Sequence, residues 1–349
     1  MFYNSDNLDK ISLNNDTKSL MDLIDSFEIE EDRLLNINLI IQNLCKKGNL
    51  LLIKDVLSKY YNNFRLCNSS FKYSCKSGNL ELVKYLLQLD KLNINELINN
   101  IDSSFQNSCL SGNLELVTFL LDLFPNINIS KYDELSFQSA CLSRNIGLVK
   151  YLLLIKPNID IYAYNNEAIK NACYSGSIEI VKYLFNLSNN NFYKTNSTLK
   201  RILICATQSC NLELFKYLLN KFKNLNNYNI DLSFNNETLF ITACNSRNNE
   251  LVKYLLEIKP DIDIHTKNSI KGKDYCFKLV CAKENMELVE LLYRKNPYLI
   301  YKYSNLFTFL EELLDTKTRL IQNWWKEKLY NPHTERGRNF INNQIEWAF

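Results

Sequence analysis

Short amphipathic segments alternate with polar breaks along this chain, and the apolar positions inside each segment keep a helical period. In the segment that starts at Leu80, the residues Leu82, Val83, Leu86 and Leu87 fall on one face, while Glu81 and Lys84 fall on the other. That spacing predicts a helix buried along one stripe, and Glu at i with Lys at i+3 adds a pair worth about 0.2–0.5 kcal/mol. A shorter helix precedes it and carries a small pair before the break: Ser74-Cys75, Ala140-Cys141, Ala172-Cys173 or Ala243-Cys244. Small side chains at that point let neighbouring helices approach closely. The break itself is Ser77-Gly78-Asn79, in which Gly78, like Gly112 and Gly176, suits a turn with positive φ.

This two-helix unit recurs. The copies are CKSGNLELVKYLL from Cys75, CLSGNLELVTFLL from Cys109, CLSRNIGLVKYLL from Cys141, CYSGSIEIVKYLF from Cys173, TQSCNLELFKYLL from Thr207, CNSRNNELVKYLL from Cys244 and CAKENMELVELLY from Cys281. A weaker copy, CKKGNLLLIKDVL, starts at Cys45, and successive starts lie 30, 34, 32, 32, 34, 37 and 37 residues apart. A period of that size is the signature of a stacked solenoid. After the second helix several units carry Pro-x-Ile-x-Ile, at Pro125–Ile129, Pro157–Ile161 and Pro260–Ile264 (Asp261 and Asp263 fill the gaps in the last). Alternating apolar residues behind a proline predict a short extended arm.

The pattern resembles the ankyrin repeat over roughly residues 38–300. The family's small-small-x-x-Gly-x-x-Glu-Ile-Val-x-x-Leu-Leu core matches Ser74-Cys75 through Leu87, with Leu82 in the Ile position. Its Asp-Val-Asn matches Asn126-Ile127-Asn128 and Asn158-Ile159-Asp160. The resemblance implies an all-α ankyrin-repeat solenoid of about eight stacked antiparallel helix pairs with short hairpin or extended arms. Departures are clear. The family's Thr-Pro-Leu-His start survives only as its apolar residue, at Phe71, Phe105, Phe137, Ile169 and Phe240, and the bracing His position holds Lys72, Gln106, Gln138 or Lys170. The Gly that usually ends the second helix is Phe124, Lys156 or Lys259. With Cys in the small position and an Asn-rich chain, the sequence is similar to the large ankyrin families of giant amoeba-infecting DNA viruses.

Outside the repeats, residues 1–37 read as an N-terminal cap, a degenerate repeat in which Asn14-Asn15-Asp16-Thr17 caps an amphipathic helix. Residues 301–349 hold helical stretches with Trp324-Trp325 and Trp347. They read either as a C-terminal cap whose aromatics cover the last repeat or as a separate recruiting element. Placement is similar to the F-box-like tail of some poxvirus ankyrin proteins. Two long polar connections, Ser188–Thr198 and Asn220–Asn236, are either insertions on a binding face or neutral Asn-rich loops.

Composition narrows the function classes. Hydrophobic residues make up 46% of the 349, enough for a buried core, and the net charge of +3 is too small and too mixed for a dedicated nucleic-acid binder. No stretch approaches the ~18 uncharged apolar residues of a membrane span, and the start lacks a secretory signal pattern. The expectation is an intracellular, most naturally cytoplasmic, protein, in which the 11 cysteines are free thiols. Seven of them recur at one repeat position, about one helix-packing distance (~8–10 Å) apart, beyond the ~7 Å reach of a disulfide, and so read as small buried hydrophobes. The pairs Cys205/Cys210 and Cys276/Cys281 are spaced poorly for a shared metal. Neither phosphate loops nor nucleophile motifs are found, and the two histidines, His265 and His333, read as surface residues. No enzyme, cofactor, metal or small-molecule substrate is expected. Sequons at Asn68, Asn196 and Asn236 read as accidents of Asn richness.

In ankyrin proteins the residues following the small pair vary and contact partners on the concave face. Carried over, these are Lys76, Leu110, Leu142, Tyr174, Gln208 and Asn245, each followed by Ser. The run Leu110, Leu142, Tyr174 is either an exposed apolar patch with Tyr174 as its anchor, or a set of side chains folded back on neighbouring repeats. Two functional readings follow: a scaffold that binds a protein through the concave face, or an adaptor whose segment 301–349 recruits a ubiquitin ligase or other host machinery.

Overall fold

The structure is a computed structural model, and it describes residues 5–27, 30–60, 66–89, 92–188, 192, 196–223, 232–246, 248–265, 274–283, 285–296 and 299. The chain divides into two compact units, Met1–Cys205 and Ala206–Phe349. Among the described residues every regular element is helical. The first unit opens with α1 (Ser5–Asn14), α2 (Thr17–Asp25), α3 (Glu30–Lys47), α4 (Leu50–Tyr60), α5 (Asn68–Ser77), α6 (Leu80–Gln88) and a short α7 (Ile94–Asn99). It continues with α8 (Ile101–Ser111), α9 (Leu114–Leu123), α10 (Lys131–Leu142), α11 (Ile146–Ile155), α12 (Ala163–Ser175) and α13 (Ile178–Leu187). Helix α14 (Asn196–Gln208) runs across the boundary, and α15 (Leu212–Lys223), α16 (Phe234–Ser246), α17 (Asn249–Ile258), α18 (Tyr275–Ala282) and α19 (Met286–Lys295) belong to the second unit.

Packing follows the sequence period. Each helix pair folds back across its short turn, and first helices stack side by side: α3 on α5, α5 on α8, α8 on α10 and α10 on α12, and in the second unit α16 on α18. From the first helices Phe71, Phe105, Phe137 and Ile169 are buried, together with Cys75, Cys109, Cys141 and Cys173 in the small slot. The second helices bury Leu82, Val83 and Leu86 and their counterparts Leu116, Val117 and Leu120 or Leu148, Val149 and Leu152. At about 1.5–3 kcal/mol per fully buried large apolar side chain, these layers hold the stack together. All eleven cysteines are free thiols, eight of them buried.

The turn between the helices is where sequence and structure agree most closely. Gly78, Gly112 and Gly176 adopt φ of 75°, 77° and 79°. A Cβ at Gly78 would stand 3.1 Å from that of Ser111 in the next repeat, so the site rejects larger residues both for conformation and for space. Arg144 (φ 68°) and Cys210 (φ 59°) occupy the same turn without glycine. The Asn that follows has two duties. Its side-chain oxygen caps the second helix, as Asn113 does by accepting from the Leu116 N–H at 3.0 Å. Its Nδ2 donates to the turn carbonyl one repeat back: Asn79 to Gly48 (2.9 Å), Asn113 to Gly78 (2.7 Å), Asn145 to Gly112 (2.8 Å), and in the second unit Asn248 to Cys210 (2.6 Å). Residues 5–25 join this pattern, because Asn15 is left-handed (φ 50°), Asp16 caps α2 through the Ser19 N–H, and Asn49 donates to the Ser12 carbonyl.

The recurrent Lys-Tyr pair of the second helices links repeats on the opposite face. Lys54 lies 5.2 Å from the Tyr85 ring centre, Lys84 5.9 Å from Phe119 and Lys150 5.5 Å from Tyr183, with Lys216 over Tyr254 at 5.2 Å in the second unit. Each ammonium thus sits on the aromatic ring of the following repeat, worth about 0.5–1 kcal/mol at such exposed sites. The expected Glu81–Lys84 pair forms at 2.9 Å.

Two features differ from the sequence expectation. The Pro-x-Ile-x-Ile segments are successive tight turns rather than extended arms: the Ile127 N–H donates to the Phe124 carbonyl and the Lys131 N–H to Asn128. Nor are the first helices α3, α5 and α8 shorter than their partners, although in α10 and α12 the right-handed part is the shorter one. Helical bonding in α10 and α12 begins in a left-handed turn, Tyr132-Asp133-Glu134 (φ 56°, 54°, 63°) and Tyr164-Asn165-Asn166 (φ 50°, 57°, 64°), before the right-handed helix takes over. Left-handed L-residues cost roughly 1–2 kcal/mol each, so this turn must be held by its surroundings. In α10 an acid three positions before the buried apolar residue supplies the hold, whereas α12 has Asn166 there. Glu134 Oε1 accepts from the Ser130 hydroxyl (2.5 Å) and faces the Asp160 N–H (3.5 Å), and Asp102 Oδ1 accepts from the Asn128 N–H (3.0 Å). In the second unit Glu237 pairs in the same way with Ser233 (2.5 Å) and the Asp263 N–H (3.4 Å). A carboxylate therefore ties the start of α8, α10 and α16 to the arm 26 residues on.

Candidate functional site

The carried-over contact residues are placed by the burial of the small pair before them. With Cys75, Cys109, Cys141 and Cys173 turned inward, the next side chain in the last turn of α5, α8, α10 and α12 is turned away from the stack. Because these four helices pack in sequence, Lys76, Leu110, Leu142 and Tyr174 form one row across the first unit. Lys76 is exposed, Leu110 and Leu142 are half-buried, and Tyr174 is 51% exposed. The leucines thus lean partly on their neighbours while the tyrosine stands out. Gln208 at the end of α14 and Asn245 in the last turn of α16 are exposed in the second unit.

Two surfaces escaped sequence reasoning. Tyr132 and Tyr164, each 66% exposed, stand at the tips of the left-handed turns. Lys131 sits 5.2 Å from the Tyr132 ring while bonded to Asp102 at 2.7 Å. Beside Tyr164 opens a cleft of about 820 Å³, whose walls include Tyr162, Glu167, Lys170, Phe192 and Arg201. Lys170 is nearly buried there and pairs with Glu167 at 2.5 Å. The signal was available: Tyr132 and Tyr164 both lie five residues before the buried Phe137 or Ile169. On the second helices, Leu123, Ile155 and Leu187 share one position and are all exposed.

The titratable groups do structural work. Burial pushes the thiols of Cys45, Cys75, Cys109 and Cys141 well above the ordinary cysteine range, and raises Cys205 to about 11. In the second unit a hydrogen bond with Cys276, together with burial, also raises Cys244. Thiols held in this way are poor nucleophiles. His265, expected as a surface residue, has two partners: its Nδ1 lies 2.5 Å from Oδ1 of the fully buried Asp274, and its Nε2 lies 2.6 Å from Asn296 Nδ2. His333 and the segment 301–349 lie outside the described residues, as does most of the Ser188–Thr198 connection and the middle of Asn220–Asn236. Among the described residues no three His, Cys, Asp or Glu side chains are grouped to hold a metal ion, and no helix is long and apolar enough to cross a membrane.

A family model described as "Ankyrin repeats (3 copies)" matches residues 71–165, 137–229 and 169–268, in overlapping sets that agree with the helix-pair architecture. Among solved structures, the crystal structure of the human ASB11 ankyrin repeat domain is similar at 20% identity, covering 58% of this chain and 96% of that one with a TM-score of 0.37. No curated protein matches the chain.

Proposed function

The chain belongs to the ankyrin-repeat family, and we propose that it is a non-enzymatic scaffold that binds a partner protein along the outer side of its first helices, the concave face in that family. One observation carries the reading: Lys76, Leu110, Leu142 and Tyr174 form a continuous row on stacked helices, and Tyr174 exposes half of its surface. Aromatic residues flanked by half-buried aliphatic ones are the usual anchors of protein interfaces. The described histidine, His265, is committed to Asp274 and Asn296, and burial makes the core thiols poor nucleophiles. Free thiols throughout fit a reducing, intracellular setting. The similarity to ankyrin families of amoeba-infecting viruses supports a host cell as that setting.

The test is quantitative capture from a host-cell extract with the parent chain, with Leu142→Glu/Tyr174→Ala, and with a second-helix control, Lys150→Glu. A partner lost from the first variant and kept by the control supports the reading. A partner that ignores the first-helix changes refutes it. Removing residues 301–349 sorts scaffold from adaptor: a scaffold keeps every partner, while an adaptor loses the recruited class.

A further inference from the structure

We infer that the partner is an extended, acidic-then-apolar protein segment, with its carboxylates over Lys46, Lys72 and Lys76 and its aliphatic or aromatic side chains over Leu110, Leu142 and Tyr174. This rests on the first-helix reading above and gives it a chemistry. Lys46 occupies in α3 the position that Lys76 holds in α5, and Lys72 lies one turn before Lys76 on the same face. All three are exposed, and none makes an ion pair with a described residue. Several lysines elsewhere in the stack are matched: Lys59 with Asp25, Lys84 with Glu81, Lys131 with Asp102 and Lys170 with Glu167, and in the second unit Lys253 with Glu250 and Glu287. Glu96 lines the same small hollow as Lys72 without coming within ion-pair distance. Three unmatched ammonium groups on two adjacent helices are therefore a patch of one sign, and the i,i+4 spacing of Lys72 and Lys76 weakens α5 slightly rather than supporting it.

The change of chemistry along the row decides the partner. From α8 onward the positions of Lys76 are taken by Leu, Leu and Tyr, and those of Lys72 by Gln106, Gln138 and Lys170, the last already paired with Glu167. A nucleic acid would need phosphate contacts along the whole path, and here they end after two helices. A wholly apolar segment would cover the lysines without pairing them, and burying unpaired charge is costly. An acidic stretch followed by large apolar residues meets both conditions. Packed first helices lie ~8–10 Å apart, so the three steps from Lys76 to Tyr174 span ~24–30 Å, or about eight residues of extended chain at ~3.3 Å each.

The test pans a library of random 16-residue peptides against the full chain, with the triple variant Lys46→Glu/Lys72→Glu/Lys76→Glu and the single variant Tyr174→Ala in parallel. Thermal melts check that both remain folded. The expected winners carry Asp or Glu at one end and Leu, Ile, Phe or Trp about eight residues away. They bind the triple variant at least tenfold more weakly, lose affinity between 50 and 500 mM salt, and weaken on Tyr174→Ala. Winners without acids, or binding indifferent to lysine reversal but lost with Tyr174→Ala, overturn the acidic partner and leave the first-helix site standing. Indifference to both variants, or a library that yields no binder, overturns the site itself. Equal capture of a single-stranded oligothymidine would replace the peptide with nucleic acid.

Discussion

Asn113 separates two duties of one side chain, and the two can be measured apart. Its oxygen caps α9 at 3.0 Å, and its Nδ2 joins α9 to the preceding turn through the Gly78 carbonyl at 2.7 Å. Asn113→Ala removes both: about 1 kcal/mol for the cap and about 1 kcal/mol or more for a half-buried carbonyl left without its donor, roughly 2–3 kcal/mol together. Asn113→Ser keeps a capping oxygen and loses only the inter-repeat bond, so about 1 kcal/mol is expected. Asn113→Asp caps as well as Asn, yet turns an acceptor toward the Gly78 carbonyl, so it should fall between the Ser and Ala variants. The chain contains its own control. Ser177 replaces Asn in α13, capping the Ile180 N–H at 3.5 Å, and there the Arg144 guanidinium reaches the Ser175 carbonyl instead. Ser177→Asn should restore the missing bond and gain about 0.5–1 kcal/mol. Urea denaturation followed by circular dichroism gives the differences, since repeat stacks lose stability as a sum of unit and interface terms. If the Ser and Asp variants both match the parent, the side chain is a cap alone and the inter-repeat bond contributes nothing.

Further outcomes can be checked with the same preparations. Glu134→Ala should cost about 2 kcal/mol through the lost Ser130 and Asp160 contacts, and Glu134→Gln, which keeps an acceptor, under about 1; a neutral Ala variant would show that burial of the unpaired Oε2 cancels the brace. A native thiol titration at pH 8 should give two fast equivalents, Cys67 and Cys210, a slow third from Cys205, and the other eight only after unfolding. Cys210→Gly should remove one fast thiol and raise stability by about 0.5 kcal/mol, because relief of the left-handed strain outweighs the added freedom of the unfolded chain. Hydrogen bonds from Lys253 and Asn249 hold the Glu287 carboxyl below its ordinary value of 4.5. Its folded pKa is the lower one, so its contribution is present above 4.5 and disappears as pH falls through the depressed value. The melting difference between parent and Glu287→Gln should therefore be seen at pH 7, fade as pH falls through the depressed value, and shrink in high salt.

Most of the stack was legible because one period wrote it seven or eight times. A buried Phe or Ile, a small Cys and a Gly-Asn turn each recur at fixed offsets, and repetition turns weak local propensities into a strong signal. The left-handed turns were hidden for the opposite reason. Tyr132 and Glu134 have no intrinsic preference for positive φ, and in α10 a carboxylate from the same turn reaches Ser130 and the arm 26 residues away, a contact that no local pattern announces. Read locally, Tyr-Asp-Glu looks like ordinary helix start. His265 was hidden similarly, since its partner Asp274 is nine residues on, across an insertion that breaks the period. For the candidate site, sequence supplied the register of Lys76, Leu110, Leu142 and Tyr174, while the half-burial of the leucines depends on neighbouring helices that no single repeat specifies.

Why the stack and the surface can vary independently follows from where each residue spends its interactions. Within a repeat, the Cys and the Phe are consumed by packing, the Asn by its cap and the turn carbonyl, the acid by the start of the first helix, and the Lys-Tyr pair by the next ring on the far side. One position per repeat on the first helix touches none of these networks, and it is there that the chain changes from Lys to Leu to Tyr while its neighbours stay nearly constant. A substitution at Tyr174 should consequently move affinity with little effect on melting, whereas one at Asn113 or Glu134 should move melting first. A stability loss on Tyr174→Ala comparable to that of Asn113→Ala would mean that the row belongs to the framework after all, and the binding surface would then have to be sought at the exposed tips, Tyr132 and Tyr164.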